Sequence, residues 1–183
     1  MLRNKMFGAL AAATLLAGAP AIAKTNPRVG GAAMLPTKTI VENASAANNL
    51  TTLVTAVKAA DLVSTLSGPG PFTVFAPTNA AFAKLPAGTL DTLTRPENKS
   101  QLSNILTYHV VSGKMTAKDI AAAIKAGGGT ATLTTVQGEP LTAKMTGGRL
   151  VLTDAKGGTS MVSTKDVMQS NGVVHVIDTV LMP

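Results

Sequence analysis

The chain has 183 residues, a formal net charge of +7 and neither cysteine nor tryptophan. Without cysteine the protein can form no disulfide, so its stability must come from packing and hydrogen bonds. Its basic residues are scattered singly and only 3% of its residues are aromatic, which argues against nucleic-acid binding, since that needs clustered positive charge and usually aromatic platforms.

The N-terminus has the pattern of a secretory signal peptide. Arg3 and Lys5 precede an apolar run over residues 6–19, and Ala21-Ile22-Ala23 supplies a small-x-small cleavage site. A charged, an apolar and a small-residue region in this order are typical of such peptides. We therefore predict a signal peptide at residues 1–23 and a secreted or periplasmic protein.

The chain after the predicted cleavage site is expected to form one domain. Residues 24–38 contain glycine and proline and have little apolar pattern, which predicts a flexible leader. Residues 39–183 have the length of a single domain. No cysteine is available for lipid attachment and the C-terminus has no hydrophobic tail, so we expect no stable membrane anchor.

Apolar spacing predicts a helix early in the domain. Leu50, Leu53 and Val57 recur at helical intervals, and a helix with this spacing buries one face against the rest of the protein. Asn48 or Asn49 is the expected N-cap, because a short amide side chain can accept a hydrogen bond from the first free backbone N–H groups.

A short strand and a capped helix are predicted next. Residues 72–76 are rich in aromatic and β-branched side chains, and Pro77 ends the strand. Thr78 and Asn79 are placed to supply cap hydrogen bonds where the strand turns into a helix, and Phe82 is expected to anchor that helix.

A helix over residues 97–106 is predicted to lead into a strand over residues 108–111. Successive side chains of a strand point to opposite faces. Tyr108 and His109 are therefore expected on opposite faces, one buried and one near the surface, so that they could not both ligate one metal ion.

The next helix has a clear start signal. Thr116 and Asp119 stand three residues apart before Ile120 and Ile124, which approximates a capping box opening a helix that buries the two isoleucines. The glycine run at residues 127–129 is expected to end this helix.

The second half of the chain has the sequence pattern of a β meander. Turn pairs such as Gln137-Gly138 and Gly147-Gly148 separate short β-rich stretches. A helical half followed by a β half predicts an α+β fold with an antiparallel or mixed sheet. The predicted strands are 130–136, 141–145, 149–153, 160–162 and 173–177.

The sequence offers no recognisable catalytic or metal-binding pattern. His109 and His175 are far apart, no cysteine is present, and neither histidine belongs to a nucleophile motif. His175 is flanked by apolar residues on both faces of its predicted strand, which favours a neutral, hydrogen-bonded histidine in the core. We expect no metal, no cofactor and no enzymatic activity.

The chain resembles the fasciclin domain, an extracellular adhesion module, in three segments that occur in the same order. These segments are residues 70–82, 106–111 and 171–183. The resemblance implies a helical first half packed on a twisted antiparallel or mixed β-sheet wedge. It also implies that the shared residues define the fold instead of a catalytic site. These residues are Phe72, Phe75, Pro77, Thr78, Asn79, Phe82, Asn171, Gly172, His175 and Asp178.

The resemblance also implies candidate binding residues. In animal members the pair that matches Tyr108-His109 has been linked to receptor recognition, and some carry an Asp-Ile integrin-binding segment where this chain has Asp119-Ile120. The alternatives are that Tyr108 and His109 hold the packing and that Asp119 caps its helix. We therefore expect a non-catalytic module for cell adhesion or surface and matrix association, with a protein or polysaccharide partner. The alternative is an envelope carrier for haem or lipid.

Overall fold

A computed structural model describes residues 27–183, so the predicted signal peptide lies outside the described part. The helices are α1 Ile40–Ala46, α2 Thr51–Ala59, α3 Val63–Ser67, α4 Asn79–Ala83, α5 Thr89–Leu93, α6 Lys99–Tyr108 and α7 Ala117–Ala126. A 3-10 turn over Pro96–Asn98 precedes α6. The strands are β1 Arg28–Val29, β2 Ala32–Ala33, β3 Phe72–Pro77, β4 Val110–Ser112, β5 Thr130–Thr134, β6 Pro140–Thr146, β7 Arg149–Thr153, β8 Thr159–Gln169 and β9 Gly172–Ile177. The predicted α+β class is confirmed.

Seven strands form one mixed sheet in the order β4-β3-β9-β8-β7-β6-β5. Every neighbouring pair is antiparallel except β3 and β9, which run parallel. The sheet curls so far that its two outer strands meet: Val111 and Thr135 form a β-bridge, and the Val136 N–H donates to the Val110 carbonyl at 2.7 Å. The result is a nearly closed barrel.

Two hydrophobic cores lie on opposite sides of β3 and β9. Val74, Ala76 and Val176 pack with the apolar faces of α1, α2 and α6. Phe75 and Ile177 point the other way, into the barrel interior. Because successive side chains of a strand alternate between its faces, a strand buried on both sides reads as a continuous apolar run. This explains why these two segments are so hydrophobic.

The described part of the predicted leader is packed on the domain, so the flexible arm predicted for residues 24–38 is wrong over 27–38. Strands β1 and β2 form a small hairpin, and Val29 and Met34 are buried in the helical core. The buried Asn43 amide bonds both backbone groups of Leu35, accepting from its N–H at 3.0 Å and donating to its carbonyl at 2.8 Å. Because this anchor comes from a side chain of α1, outside the leader, it leaves no pattern in the leader sequence itself.

The N-cap predicted for α2 is also wrong. No side chain at its first position caps it; instead the Thr52 N–H donates to Asn79 Oδ1 at 3.0 Å, and Asn79 Nδ2 donates to Thr51 Oγ1 at 2.9 Å. The cap therefore comes from the segment after β3. Thr78 caps α4 as predicted, accepting from the Ala81 N–H.

The parallel strands β3 and β9 begin at a junction that requires glycine. A Cβ atom on Gly172 would lie 2.0 Å from the Phe72 carbonyl oxygen, and one on Gly70 would lie 1.9 Å from that of Asn171. The Asn171 side chain also donates to Leu66 O at 2.7 Å and accepts from the Ile40 N–H at 3.2 Å. This junction thus holds α1, α3, β3 and β9 together.

Replacing Gly172 tests this close approach. We expect Gly172→Ala to lower the free energy of unfolding by about 3 kcal/mol, because the added methyl group collides with backbone that cannot move away. Urea unfolding followed by circular dichroism measures the loss. Gly68→Ala is the matched control: its added Cβ would make a tight contact of 3.2 Å with the Thr65 carbonyl oxygen in place of a 2.0 Å collision, and its φ of −66° suits alanine. Equal stability of the two variants would contradict the prediction.

Candidate binding groove and buried polar residues

Tyr108 and His109 are both buried, so the predicted strand geometry is wrong. Helix α6 continues through Tyr108, and His109 follows it in helical conformation before β4 begins. Successive residues of a helix point about 100° apart, so both side chains can face the interior. Tyr108 is 0% exposed and His109 is 2% exposed. The binding role carried over for this pair stays a prediction, and these buried side chains offer a partner no surface in this conformation.

Each side chain of this pair holds a separate piece of backbone. The Tyr108 hydroxyl donates to Pro140 O and accepts from the Ala155 N–H, both at 3.1 Å. Burial raises the pKa of Tyr108. His109 Nε2 accepts from the Leu181 N–H at 3.0 Å, so the ring proton is on Nδ1, which donates to Ile105 O at 2.7 Å. The histidine thereby ties the C-terminal residues to α6.

His175 lies in the sheet core, buried as predicted. Its ring stacks on Phe75 with ring centroids 5.5 Å apart. Nε2 donates to the Met115 carbonyl at 2.9 Å and Nδ1 accepts from the Asp166 N–H at 3.3 Å. Burial lowers the pKa of His175. Both ring nitrogens are thus used in joining β9 to β8 and to the loop before α7.

Asp119 and Ile120 have the positions that the capping-box pattern predicts. The exposed Asp119 carboxylate accepts from the Thr116 N–H at 2.9 Å, and Thr116 Oγ1 accepts from the Asp119 N–H at 3.3 Å. The hydrogen bonds from Thr116 lower the pKa of Asp119. Ile120 is fully buried in the barrel core. Of these two residues, only Asp119 is accessible to a partner; its binding role stays a prediction.

Asp178 follows β9, and its carboxylate contacts polar groups of β8 and of the residue after α4. Its Oδ1 accepts from the Met161 N–H at 2.9 Å, and its Oδ2 lies 3.8 Å from Lys84 Nζ. His109, His175 and Asp178 therefore form separate contacts in different parts of the fold.

Among residues 27–183, no group of three or more histidine, cysteine or acidic residues is placed to hold a metal ion. No helix in this part of the chain is long and apolar enough to span a membrane.

The apolar cavity next to His109 is too small for a haem or a lipid. It lies between α1, α2 and β3 and has a volume of about 30 Å³. Small-molecule pockets usually have about 300–1,000 Å³, roughly ten times the volume of this cavity or more. This cavity gives the carrier alternative no support.

A larger groove opens at the surface, with a volume of about 640 Å³. Its walls are the first turns of α7, the β6–β7 turn and the middle of β8. Two of the three exposed large apolar side chains among the described residues, Met145 (42% exposed) and Met161 (39% exposed), line it. The basic residues Lys118, Arg149 and Lys165 surround them. No sequence pattern predicts this site, because its residues come from four separate segments and none belongs to a recognised motif.

The groove lies where β7 and β8 separate. Their ladder holds only three residue pairs and ends at Val151 and Met161, although β7 begins at Arg149 and β8 continues to Gln169. Bulges in β8 turn the strand away, and Asp166 there has a positive φ of 57°. The Asp166 carboxylate accepts from the Ala117 N–H at 2.6 Å. This bond fixes α7 as one wall of the groove.

Comparison with known proteins identifies the family. A family model described as the Fasciclin domain matches residues 48–183. The chain belongs to this family. It is 51% identical over 145 residues to Protein sll1483 of Synechocystis sp., a match that covers 79% of this chain and 73% of the relative. It is 39% identical over 157 residues to the cell surface glycolipoprotein MPB83 of Mycobacterium bovis, covering 85% of this chain and 64% of that one.

A solved structure shows the same fold. The FAS1 domain pair from the insect cell adhesion molecule Fasciclin I superposes on this fasciclin chain with a TM-score of 0.70 and 21% sequence identity. The match covers 80% of this chain and 51% of the insect chain. The predicted fasciclin fold is confirmed.

The buried state of His109 predicts how stability depends on pH. Burial lowers the pKa of His109 to about 4, whereas a histidine in the unfolded chain has a pKa of about 6.5. Between these values only the unfolded state takes up the proton, so the free energy of unfolding falls as the pH is lowered from 6.5 towards 4. At pH 4.5, protonation of this histidine in the unfolded state lowers the free energy of unfolding by about 2.5 kcal/mol.

Urea unfolding at pH 7 and pH 4.5 measures this contribution. The wild-type protein should lose about 2.5 kcal/mol more than His109→Gln between the two pH values. The His109 ring should also remain neutral at pH 5 in an NMR titration of the wild type. A titration midpoint near the ordinary value would show that the ring is not held as described.

His175 supports a separate prediction about stability. We expect His175→Ala to lower the free energy of unfolding by about 1–3 kcal/mol, because the change leaves the Met115 carbonyl and the Asp166 N–H without partners. Thermal and urea unfolding measure the loss. Ser170→Ala, at an exposed position between β8 and β9, is the control. A melting curve like that of the wild type would argue against the burial of His175.

Proposed function

We propose that this fasciclin protein is a non-catalytic interaction module that acts outside the cytoplasm, in cell adhesion or surface association. The observation that carries the proposal is the contrast between its interior and its surface. The side chains best suited to catalysis or metal binding are buried and hydrogen-bonded to backbone. They are Tyr108, His109 and His175. The surface instead presents an open groove with exposed methionines and basic side chains.

The relatives support the same function. One has a name that describes a cell surface glycolipoprotein, and the matching solved structure comes from a cell adhesion molecule. Fold alone does not define function, since one scaffold can host many activities. The open groove provides the second argument, because exposed apolar side chains bordered by polar ones are a usual mark of an interaction surface.

The pattern at the N-terminus supports a location outside the cytoplasm. Residues 1–23 have the order of a cleavable signal peptide. Because the chain has no cysteine, its stability outside the cytoplasm must come from packing and not from disulfides. The two cores on β3 and β9 supply that packing. A polysaccharide or a protein on the cell surface is the proposed class of partner.

Retention on cells tests the proposal. The labelled mature protein is incubated with cells of the organism that encodes it and, separately, with that organism's purified exopolysaccharide. We expect saturable retention that unlabelled protein displaces, and weaker attachment of cells that lack the gene. Heat-unfolded protein is the control for non-specific adsorption. The absence of saturable retention at every salt concentration would contradict the proposal.

A further inference from the structure

We propose that the groove between α7, the β6–β7 turn and β8 binds an extended acidic peptide segment of a partner protein. The inference rests on the proposed function and names the surface and the class of partner. Three independent properties of the groove support it: the shape of the sheet, the charge of the rim and the composition of the floor.

The shape of the sheet favours an extended peptide. Beyond Val151 and Met161 the strands β7 and β8 no longer pair with each other, so their facing edges diverge. Strand edges without a partner can accept another strand by backbone hydrogen bonding. The groove runs along this divergence, from Gly148 and Arg149 on one side to Ser163 and Lys165 on the other.

The charge of the rim favours an acidic partner. Lys118, Arg149 and Lys165 are exposed, and none of them forms a salt bridge within residues 27–183. The two acidic residues of the groove are already engaged: Asp166 accepts from the Ala117 N–H, and Asp178 accepts from the Met161 N–H and faces Lys84. Three basic side chains therefore face two carboxylates, one of which is paired with Lys84, so the lining carries a net positive charge. Opposite charges across an interface favour encounter and register.

The composition of the floor favours a peptide over a sugar or a nucleobase. Met145 and Met161 supply flexible apolar contacts, which adapt to side chains of varied shape. Among the residues that the structure describes, no aromatic side chain lines the groove, so this part of the chain supplies no platform on which a base could stack. A strand-like segment places alternate side chains on opposite sides. Apolar side chains of the bound segment would meet the methionines while acidic ones meet the rim.

A set of synthetic hexapeptides tests the assignment. The set alternates Glu with Leu, Val, Met or Phe, and two control sets replace Glu by Lys or use Glu at all six positions. Binding to the mature protein is followed by fluorescence anisotropy and by backbone amide NMR shifts. We expect peptides of the alternating acidic set to bind, with shifts at Met145, Met161 and Ser163, and with weaker binding at higher salt.

Charge reversal locates the site. Arg149→Glu combined with Lys165→Glu should weaken binding about tenfold or more, since like charges then face each other across the interface. Lys58→Glu combined with Arg95→Glu makes the same change in net charge at exposed positions outside the groove. We expect that control to bind within about twofold of the wild type.

Several outcomes would overturn the inference. These are failure of the whole alternating acidic set, equal binding by the Lys set or the all-Glu peptide, tighter binding of an anionic polysaccharide such as alginate, or shifts that map outside the groove. The two proposals can fail separately. Retention on cells that persists unchanged in the Arg149→Glu and Lys165→Glu variant would leave the interaction module in place and remove the groove as its site.

Discussion

The parallel pairing of β3 with β9 is the constraint on which the rest of the structure depends. The two strands come from segments about a hundred residues apart, and they lie in register with Phe75 opposite His175. Their start requires Gly70 and Gly172, because side chains there would collide with backbone. Once this pair forms, one face becomes the floor of the helical core and the other becomes a wall of the barrel core.

Polar side chains in this protein connect segments that are distant in sequence. Asn171 links α1 and α3 to the start of β9, His109 holds the backbone of Leu181, and His175 joins β9 to the bulge of β8. A buried polar group costs free energy unless it is hydrogen-bonded, so each of these side chains favours one arrangement of the segments that it joins. The same bonds occupy both ring nitrogens of each histidine, and burial, which lowers the pKa of both rings, keeps them neutral.

Local signals in the sequence predicted many elements correctly, and non-local ones were missed. The cap of α4 by Thr78 and the capping box of α7 depend on residues three positions apart, and both are present as expected. The strand predicted for Tyr108 and His109 is wrong because tertiary packing extends α6 over residues whose neighbours favour a strand. The cap of α2 by Asn79 and the groove could not be predicted, since each depends on where distant segments meet. The bulges in β8 have no signature in the consecutive residues Thr164, Lys165 and Asp166, where the register shifts.

The near closure of the barrel has a consequence for how copies of the protein behave together. Outer strands of an open sheet offer unpaired backbone to other chains and can seed aggregation. Here β4 and β5 meet through the bridge between Val111 and Thr135, so the two ends of the sheet protect each other. Among residues 27–183, the divergence between β7 and β8 is a further opening of this sheet, and Lys118, Arg149 and Lys165 border it. Because every copy carries the same positive rim, mutual repulsion would keep this opening from templating a fibre.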